Sequence, residues 1–291
     1  MSAVERKKTV VITGCAPGGI GNALAREFHA NGLHVIATAR SRSAITDLED
    51  IGMTTVSLDV TSEESIAMAR KEVEELVQGR GLDMLVNNAG RNLTLPALDV
   101  PLSEARLTFE TNFFAVVAIT QAFTPLLITA SPSLILNIGS VAAIVPYVFG
   151  SVYNASKAAL HAYSNTLRLE LEPYGVRVMV VVTGGVKSRI ARTERVLPEG
   201  SLYTAIEGEF ERRVSHSQEE AMDTVEYARG VVREALKSAP KKWFWRGNKA
   251  GIIEFVHRWL GGWVFDLVLP RMFGLVKLRR MLAGKGERKG V

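Results

Sequence analysis

At 291 residues and 47% apolar content the chain can bury one large core, and it does not require two equal domains. Net charge is +5 at pH 7, but the surplus is local, with Lys277, Arg279, Arg280, Lys285, Arg288 and Lys289 standing against Glu287 alone; before residue 240 no basic surface interleaved with stacking aromatics appears, which argues against nucleic-acid binding. The single cysteine, Cys15, excludes an intrachain disulfide and any zinc site made of cysteine pairs, and it fits a reducing, intracellular compartment.

Met1 to Lys8 is short and charged, with no cleavable signal pattern, so a cytoplasmic start is expected. Thr9 to Thr13 is a β-branched apolar run that ends in Gly14-Cys-Ala-Pro-Gly-Gly-Ile-Gly21, and Asn22 to Ala30 reads as a helix. Further strands are predicted at Leu33–Ala39, Thr54–Leu58, Leu82–Val86, Leu134–Ile138, Val176–Val182 and Lys241–Trp245. Helical patterns fall between them, at Glu63–Gln78, at Leu102–Leu127 with a stop near Pro125, and at Val152–Leu171. This alternation predicts an α/β fold, a Rossmann-type doubly wound parallel sheet that presents ligand groups at the carboxyl ends of its strands. One catalytic domain is expected over 1–247, with a mobile substrate loop at about 187–217. An apolar and basic amphipathic helical tail follows over 248–291.

The groups able to do chemistry fall at those strand ends. Gly14, Gly19 and Gly21, with Ile20, permit a tight turn and close approach of backbone to a pyrophosphate at a helix N-terminus. Arg40 ends the second strand, where an acid would hydrogen-bond a ribose 2'-hydroxyl and an arginine favours a 2'-phosphate, so NADPH is predicted over NADH. Asp59, followed by Val60, ends the third strand and can accept a hydrogen bond from an adenine amino group; Asn87 and Asn88 can brace strands or touch a cofactor. Tyr153 and Lys157, four apart on one helix face, can form a proton-transfer pair in which the ammonium lowers the phenol pKa. Ser140, at the end of the fifth strand, can hydrogen-bond the same substrate oxygen. Cys15 reads as a small packed side chain. His29, His34, His161, His216 and His257 share no spacing that would hold a metal.

Thr13-Gly-x4-Gly-Ile-Gly21, Asn87-Asn-Ala-Gly90, Asn112, Ser140, Tyr153-x3-Lys157 and Thr183-Gly-Gly-Val-Lys-Ser188 resemble, in order and spacing, the motifs of the short-chain dehydrogenase/reductase family over residues 8 to 247. The resemblance implies that Tyr153 is the general acid of carbonyl reduction, that Ser140 polarises the carbonyl, and that Lys157 holds the nicotinamide ribose. It further implies that Asn112 organises a relay water, that Asn88, Ala89 and Gly90 contribute to the cofactor site, and that Val186 and Ser188 meet the carboxamide end of NADP(H). A homodimer or homotetramer is implied too. Two departures stand out: an extra residue at Pro17-Gly18 in the glycine loop, and Thr183-Gly184 in place of the usual Pro-Gly.

Ala250 to Arg280 carries bulky apolar residues among Glu254, Arg258, Asp266, Pro270 and Arg271, and no uncharged run reaches the 18 or so residues that span a bilayer. The tail is expected either to lie on an intracellular membrane or lipid droplet or to cover the substrate cleft or a subunit interface, roles that are compatible. The tail and glycine loop most resemble the fungal acyl-dihydroxyacetone-phosphate reductase-like branch of the family, which implies a lipid-like or polyketide-like small-molecule carbonyl substrate. The expected activity is NADPH-dependent ketone reduction. The alternatives are oxidation of a secondary alcohol with NADP, or a non-catalytic nucleotide-binding protein at a membrane surface. Val145 to Phe149 is expected to line the substrate pocket.

Overall fold

The structure is a computed structural model that describes residues 7–191 and 195–287. Outside the described residues lie most of the charged N-terminus, positions 192–194 of the expected substrate loop, and Arg288 and Lys289 of the basic end. Seven strands, β1 (Thr9–Ile12), β2 (His34–Ala39), β3 (Thr54–Ser57), β4 (Met84–Asn87), β5 (Ser133–Ile138), β6 (Val176–Thr183) and β7 (Trp243–Arg246), form one parallel sheet in the order β3-β2-β1-β4-β5-β6-β7. The order reverses between β1 and β4, so a crevice opens at their carboxyl ends.

The inner strands are largely apolar and buried because both faces are covered, whereas the edge strands β3 and β7 are only partly buried. Side chains alternate between faces with period two, so Val10 and Ile12 of β1 enter the layer beneath α1 (Ile20–Ala30), the short α2 (Thr46–Glu49) and α8 (Thr224–Ala235), while Val11 enters the opposite layer. That second layer is closed by α3 (Glu63–Val77), α5 (Ala115–Thr129) and α6 (Ser151–Leu171). The sequence reading singled out no helix at α8, although Asp223 caps it by accepting from Val225 N and Glu226 N at 2.9 and 3.3 Å, and Tyr227, Val231 and Val232 form its buried stripe.

The predicted helix over 102–127 needs correction at two points. It is built as α4 (Leu102–Phe109), a π-helical turn (Glu110–Phe114) and α5, and Pro125 lies inside α5 rather than stopping it. An interior proline costs about 3 kcal/mol, but burial of Leu126 and Leu127 immediately after it returns about 1.5–3 kcal/mol each, so the helix runs on to Thr129. By length and composition Leu102–Thr129 passes for a membrane span, yet Ile119, Phe123, Leu126 and Leu127 are core residues packed on the sheet.

Residues 187–217 hold helix α7 (Glu207–Ser215), whose Phe210 is fully buried. The tail forms α9 (Ala250–Phe255), a π-helical turn (Val256–Leu260), α10 (Trp263–Met272) and α11 (Leu275–Glu287). It packs on the catalytic body: Phe265, Leu269 and Phe273 join Val141, Val145, Val180 and Val182 in one buried cluster.

Candidate active site

The carboxyl ends of the strands enclose a cavity of about 730 Å³. Gly14, Gly19, Ile20, Arg40, Asp59 and Val60 line one end, Ser140, Tyr153 and Lys157 the middle, and Tyr147, Arg213 and His216 the other end. Asn88, Ala89, Gly90, Val186 and Ser188 also face it. Of the expected site residues, only Gly21 and Asn112 stand behind its wall, and both support it.

The glycine loop is held by its neighbours. Thr13 Oγ1 accepts hydrogen bonds from Asn88 N and Ala89 N, each at 3.0 Å, and Asn88 Nδ2 donates to Thr13 O and Gly14 O at 2.8 and 3.0 Å. A Cβ on Gly21 would lie 2.4 Å from Gly14 O and 2.5 Å from Asn88 Nδ2, and one on Gly14, at φ +74°, would lie 2.9 Å from Ala89 Cα. These contacts admit only glycine. The inserted Gly18 turns with φ +72° and leaves Gly19 at the N-cap of α1, so the extra residue is absorbed without displacing the helix from the cavity. A backbone cradle without side chains, at a helix N-terminus, fits the pyrophosphate of a dinucleotide. Asp59 accepts from Thr61 N and Oγ1 at 3.0 and 2.8 Å, which holds its carboxyl below the usual range. Arg40 is exposed at the cavity edge, and its side chain makes no hydrogen bond or ion pair among the described residues, although Asp59 is close enough to feel its charge.

Asn87 braces the sheet by donating to Asn137 Oδ1 at 2.8 Å. Asn112, in the π-helical turn and fully buried, accepts from Arg91 N at 2.9 Å and donates to Arg91 O and Ser156 Oγ at 2.9 and 3.0 Å. It fixes the loop after Gly90 against α6. The widened turn that permits this carries no single-residue mark in the sequence. On the far side, Gly184 is enforced by Asn248 O, which would lie 2.2 Å from a Cβ there. Gln218 bridges to Val186 O and Ser188 N at 3.2 and 3.1 Å, and Thr183 Oγ1 meets the Tyr227 hydroxyl at 2.7 Å.

Tyr153, Lys157 and His161 recur at intervals of four on the inner face of α6 and grip the end of β5. Lys157 Nζ donates to Ile138 O at 2.9 Å, and Ser140 N donates to His161 Nε2 at 3.2 Å. Burial together with the Lys157 charge pushes His161 down to about 3, so it stays neutral and serves as an acceptor that orients Ser140. This positioning residue was not found from the sequence, although its spacing from Lys157 was a signal. Ser140 Oγ accepts from Ala142 N at 3.1 Å, which leaves its O–H to act as a donor, and the Tyr153 phenol is close enough for that hydroxyl to oppose the rise in its pKa.

The electrostatics depart from expectation. Burial raises the Tyr153 pKa, and what opposes this is the Ser140 hydrogen bond and the charge of Arg213, not Lys157. Lys157 is itself lowered to about 8 by burial. Arg213, on α7, is the cation that the sequence reading missed, because it lies sixty residues from the tyrosine it faces. Of Val145 to Phe149, only Tyr147 lines the cavity among the described residues; Val145 packs with the tail and Phe149 with Phe210. Cys15 is a packed core residue whose thiol donates to Ile12 O and is pushed up to about 12 by burial.

Known proteins resemble this chain in sequence and in fold. The short chain dehydrogenase family profile matches residues 8–196. A short-chain dehydrogenase of Neurospora crassa is 43% identical over 279 residues, which is 95% of this chain and 96% of the relative. The NADPH-dependent 1-acyldihydroxyacetone phosphate reductase of Schizosaccharomyces pombe is 43% identical over 206 residues, 69% of each chain. Among solved structures, a short-chain dehydrogenase from Streptomyces avermitilis superposes with a TM-score of 0.77 at 26% identity, covering 95% of this chain and 98% of that one. With a family profile over more than half its length and a relative aligned almost end to end, the chain belongs to the short-chain dehydrogenase/reductase family of nicotinamide-dependent oxidoreductases.

Proposed function

We propose that the protein is an NADPH-dependent reductase that converts a ketone in an apolar, lipid-like or polyketide-like molecule to a secondary alcohol. The observation that carries this reading is the pair of hydroxyls, Ser140 and Tyr153, on the wall of one cavity whose other end is a glycine cradle edged by Arg40. Bound in that cradle, the cofactor supplies the hydride. Burial keeps the Tyr153 phenol protonated at neutral pH, so it can give its proton to the carbonyl oxygen, while Ser140, with its Oγ fixed by Ala142 N and its O–H available as a donor, can stabilise the charge that develops on the same oxygen. Lys157, held by Ile138 O one helical turn below, is placed for a ribose hydroxyl. The unpaired Arg40 supports the 2'-phosphate preference, as does the name of the fission-yeast relative, which is NADPH-dependent and acts on an acylated ketone. Purified protein should oxidise NADPH when given long-chain ketones, and Tyr153→Phe should lose at least about a hundredfold in kcat, as expected when a general acid is removed. Full turnover by that variant would remove the assignment.

The outer face of the tail supports a second element, docking on an anionic membrane surface. Trp259 and Trp263 are 71% and 61% exposed, Ile252, Phe255 and Leu267 are exposed beside them, and Arg258, Arg271 and Lys277 border the patch. Tryptophans and aliphatics among cations suit the interface of a bilayer. The intact chain should float with vesicles of phosphatidylcholine and phosphatidylserine, and a double Trp259→Ser, Trp263→Ser variant should not; an intact chain that stays at the bottom of the gradient refutes it. Exposed Leu107, Phe114 and Leu169 on α4 to α6 support pairing of subunits through those helices.

A further inference from the structure

Arg213 is 7% exposed and lines the substrate end of the cavity. Its Nε donates to Val148 O at 3.0 Å, and its Cζ stands 5.1 Å from the centre of the Tyr147 ring and 5.6 Å from that of Phe273. These contacts fix the guanidinium plane by stacking and by one hydrogen bond, and they leave both Nη groups without a protein acceptor among the described residues. No carboxylate forms an ion pair with it among the described residues. Among the described residues the one acid that shares this end of the cavity, Glu219, is engaged by His216 Nδ1 at 3.1 Å.

A second source of positive potential lies at the same place. Arg213 Nη2 would be 3.3 Å from a Cβ on Gly150, the residue that opens the 21-residue helix α6, and no side chain caps that helix. A guanidinium beside an uncapped helix N-terminus is unfavourable unless an anion joins them. Burying an arginine without an acid is costly as well. Its neighbours on the cavity wall are Tyr153 and Tyr147, whose neutral phenols do not offset it.

We propose that Arg213 is an oxyanion receptor at the substrate end of the cavity, and that the ketone reduced here carries a carboxylate or phosphate group near its reacting carbonyl. The second half rests on the ketone-reductase reading above; the first half stands on the geometry alone. The guanidinium fork matches the two oxygens of either group, and Tyr147, on the cavity wall beside the fork, offers apolar ring surface to the chain that bears it. Holding the anion at Arg213 fixes the carbonyl relative to Ser140 and Tyr153, so the receptor acts by orientation as well as by affinity.

The test is calorimetric titration of the full chain with 4-oxodecanoate against its methyl ester, and with octyl phosphate against 1-octanol. Wild type should bind the anionic member of at least one pair about tenfold or more tightly than its neutral partner, as a desolvated charge-assisted pair requires. The carboxylate arm and the phosphate arm show which oxyanion the site takes. Arg213→Met should bring the favoured ratio to near one, and Arg213→Lys should keep part of it. Equal binding within both pairs by wild type, or an unchanged ratio in Arg213→Met, overturns the receptor. If Arg213→Met does not fold, Arg213→Lys decides: loss of part of the wild-type preference supports the receptor, and retention of the whole preference overturns it. NADPH oxidation with the 4-oxodecanoate pair separates the two readings: anion preference without turnover leaves the receptor and removes the reductase, and turnover without preference does the reverse.

Discussion

Replacing Lys157 by methionine should make the protein more stable while disabling it. Lys157 is 4% exposed and, among the described residues, its ammonium donates one hydrogen bond, to Ile138 O, and has no anionic neighbour to offset burial, which lowers its pKa from 10.5 to about 8. The folded chain therefore holds this proton less tightly than the unfolded chain does. Below pH 8 both states are protonated and the folded state bears the whole cost, roughly 3 kcal/mol at 1.36 kcal/mol per tenfold. Between about 8 and 10.5 the folded state is neutral while the unfolded state still carries the proton, so stability rises with pH, and above 10.5 the penalty is gone. Methionine fills a similar volume but leaves the Ile138 carbonyl unpaired, which costs about 1 kcal/mol. The net gain at pH 7 is about 2 kcal/mol, or about 3 °C in Tm for a domain of this size. Urea and thermal unfolding of cofactor-free wild type and Lys157→Met at pH 7 and pH 10, followed by tryptophan fluorescence, measure both the gain and its pH dependence. A variant less stable than wild type at pH 7, or an advantage undiminished at pH 10, would show that burial is not what sets the energetics of Lys157.

Two further outcomes follow from the cofactor end of the cavity. Arg40→Asp should shift the ratio of kcat/KM for NADPH over NADH by about 10- to 100-fold towards NADH, the range for one lost charge-assisted bond, and an unchanged ratio would mean that another group reads the 2'-phosphate. Gly21→Ala forces a Cβ to within 2.4 Å of Gly14 O, so the loop must move and NADPH affinity should fall about tenfold or more in a fluorescence titration. Gly32→Ala, at φ +83° with open space around it, is the control: about 1 kcal/mol of stability lost and affinity kept, so that equal NADPH affinity in both variants would refute the close-packing argument.

Much of this was legible in the sequence because it is local. The strands differ from their predicted limits by about two residues at most, and the glycine loop, Arg40, Asp59 and Ser140 sit where chain order alone puts them, at strand ends. Tyr153, Lys157 and His161 share a helix face that can be counted from the sequence, although His161 is intelligible only once Ser140 N is seen to need an acceptor. What failed to show was tertiary. Pro125 reads as a stop until the burial of Leu126 and Leu127 is weighed against it, and the π-helical turn at Asn112 is set by bonds to Arg91 and Ser156 across the fold. Arg213 was invisible for the same reason, since nothing near it in the chain marks it as a site residue.

The substrate end of the cavity thus differs in kind from the cofactor end. Arg213 comes from α7, Tyr147 from the loop after β5, and Phe273 from the end of α10, and their stacking is what holds the guanidinium over the cavity. Phe265, Leu269 and Phe273 recur at intervals of four, forming the inner stripe of the tail, while Trp263 and Leu267 face outward. A helix apolar on both faces needs two apolar environments. The inner one is the body of the fold, where Phe273 stacks on Arg213 at the cavity wall, so the inner face of the tail supports that wall whatever its outer face meets. The expectation that the tail covers the cleft and the expectation that it lies on a membrane therefore concern opposite faces of the same helix, and the loss of one contact leaves the residues of the other in place.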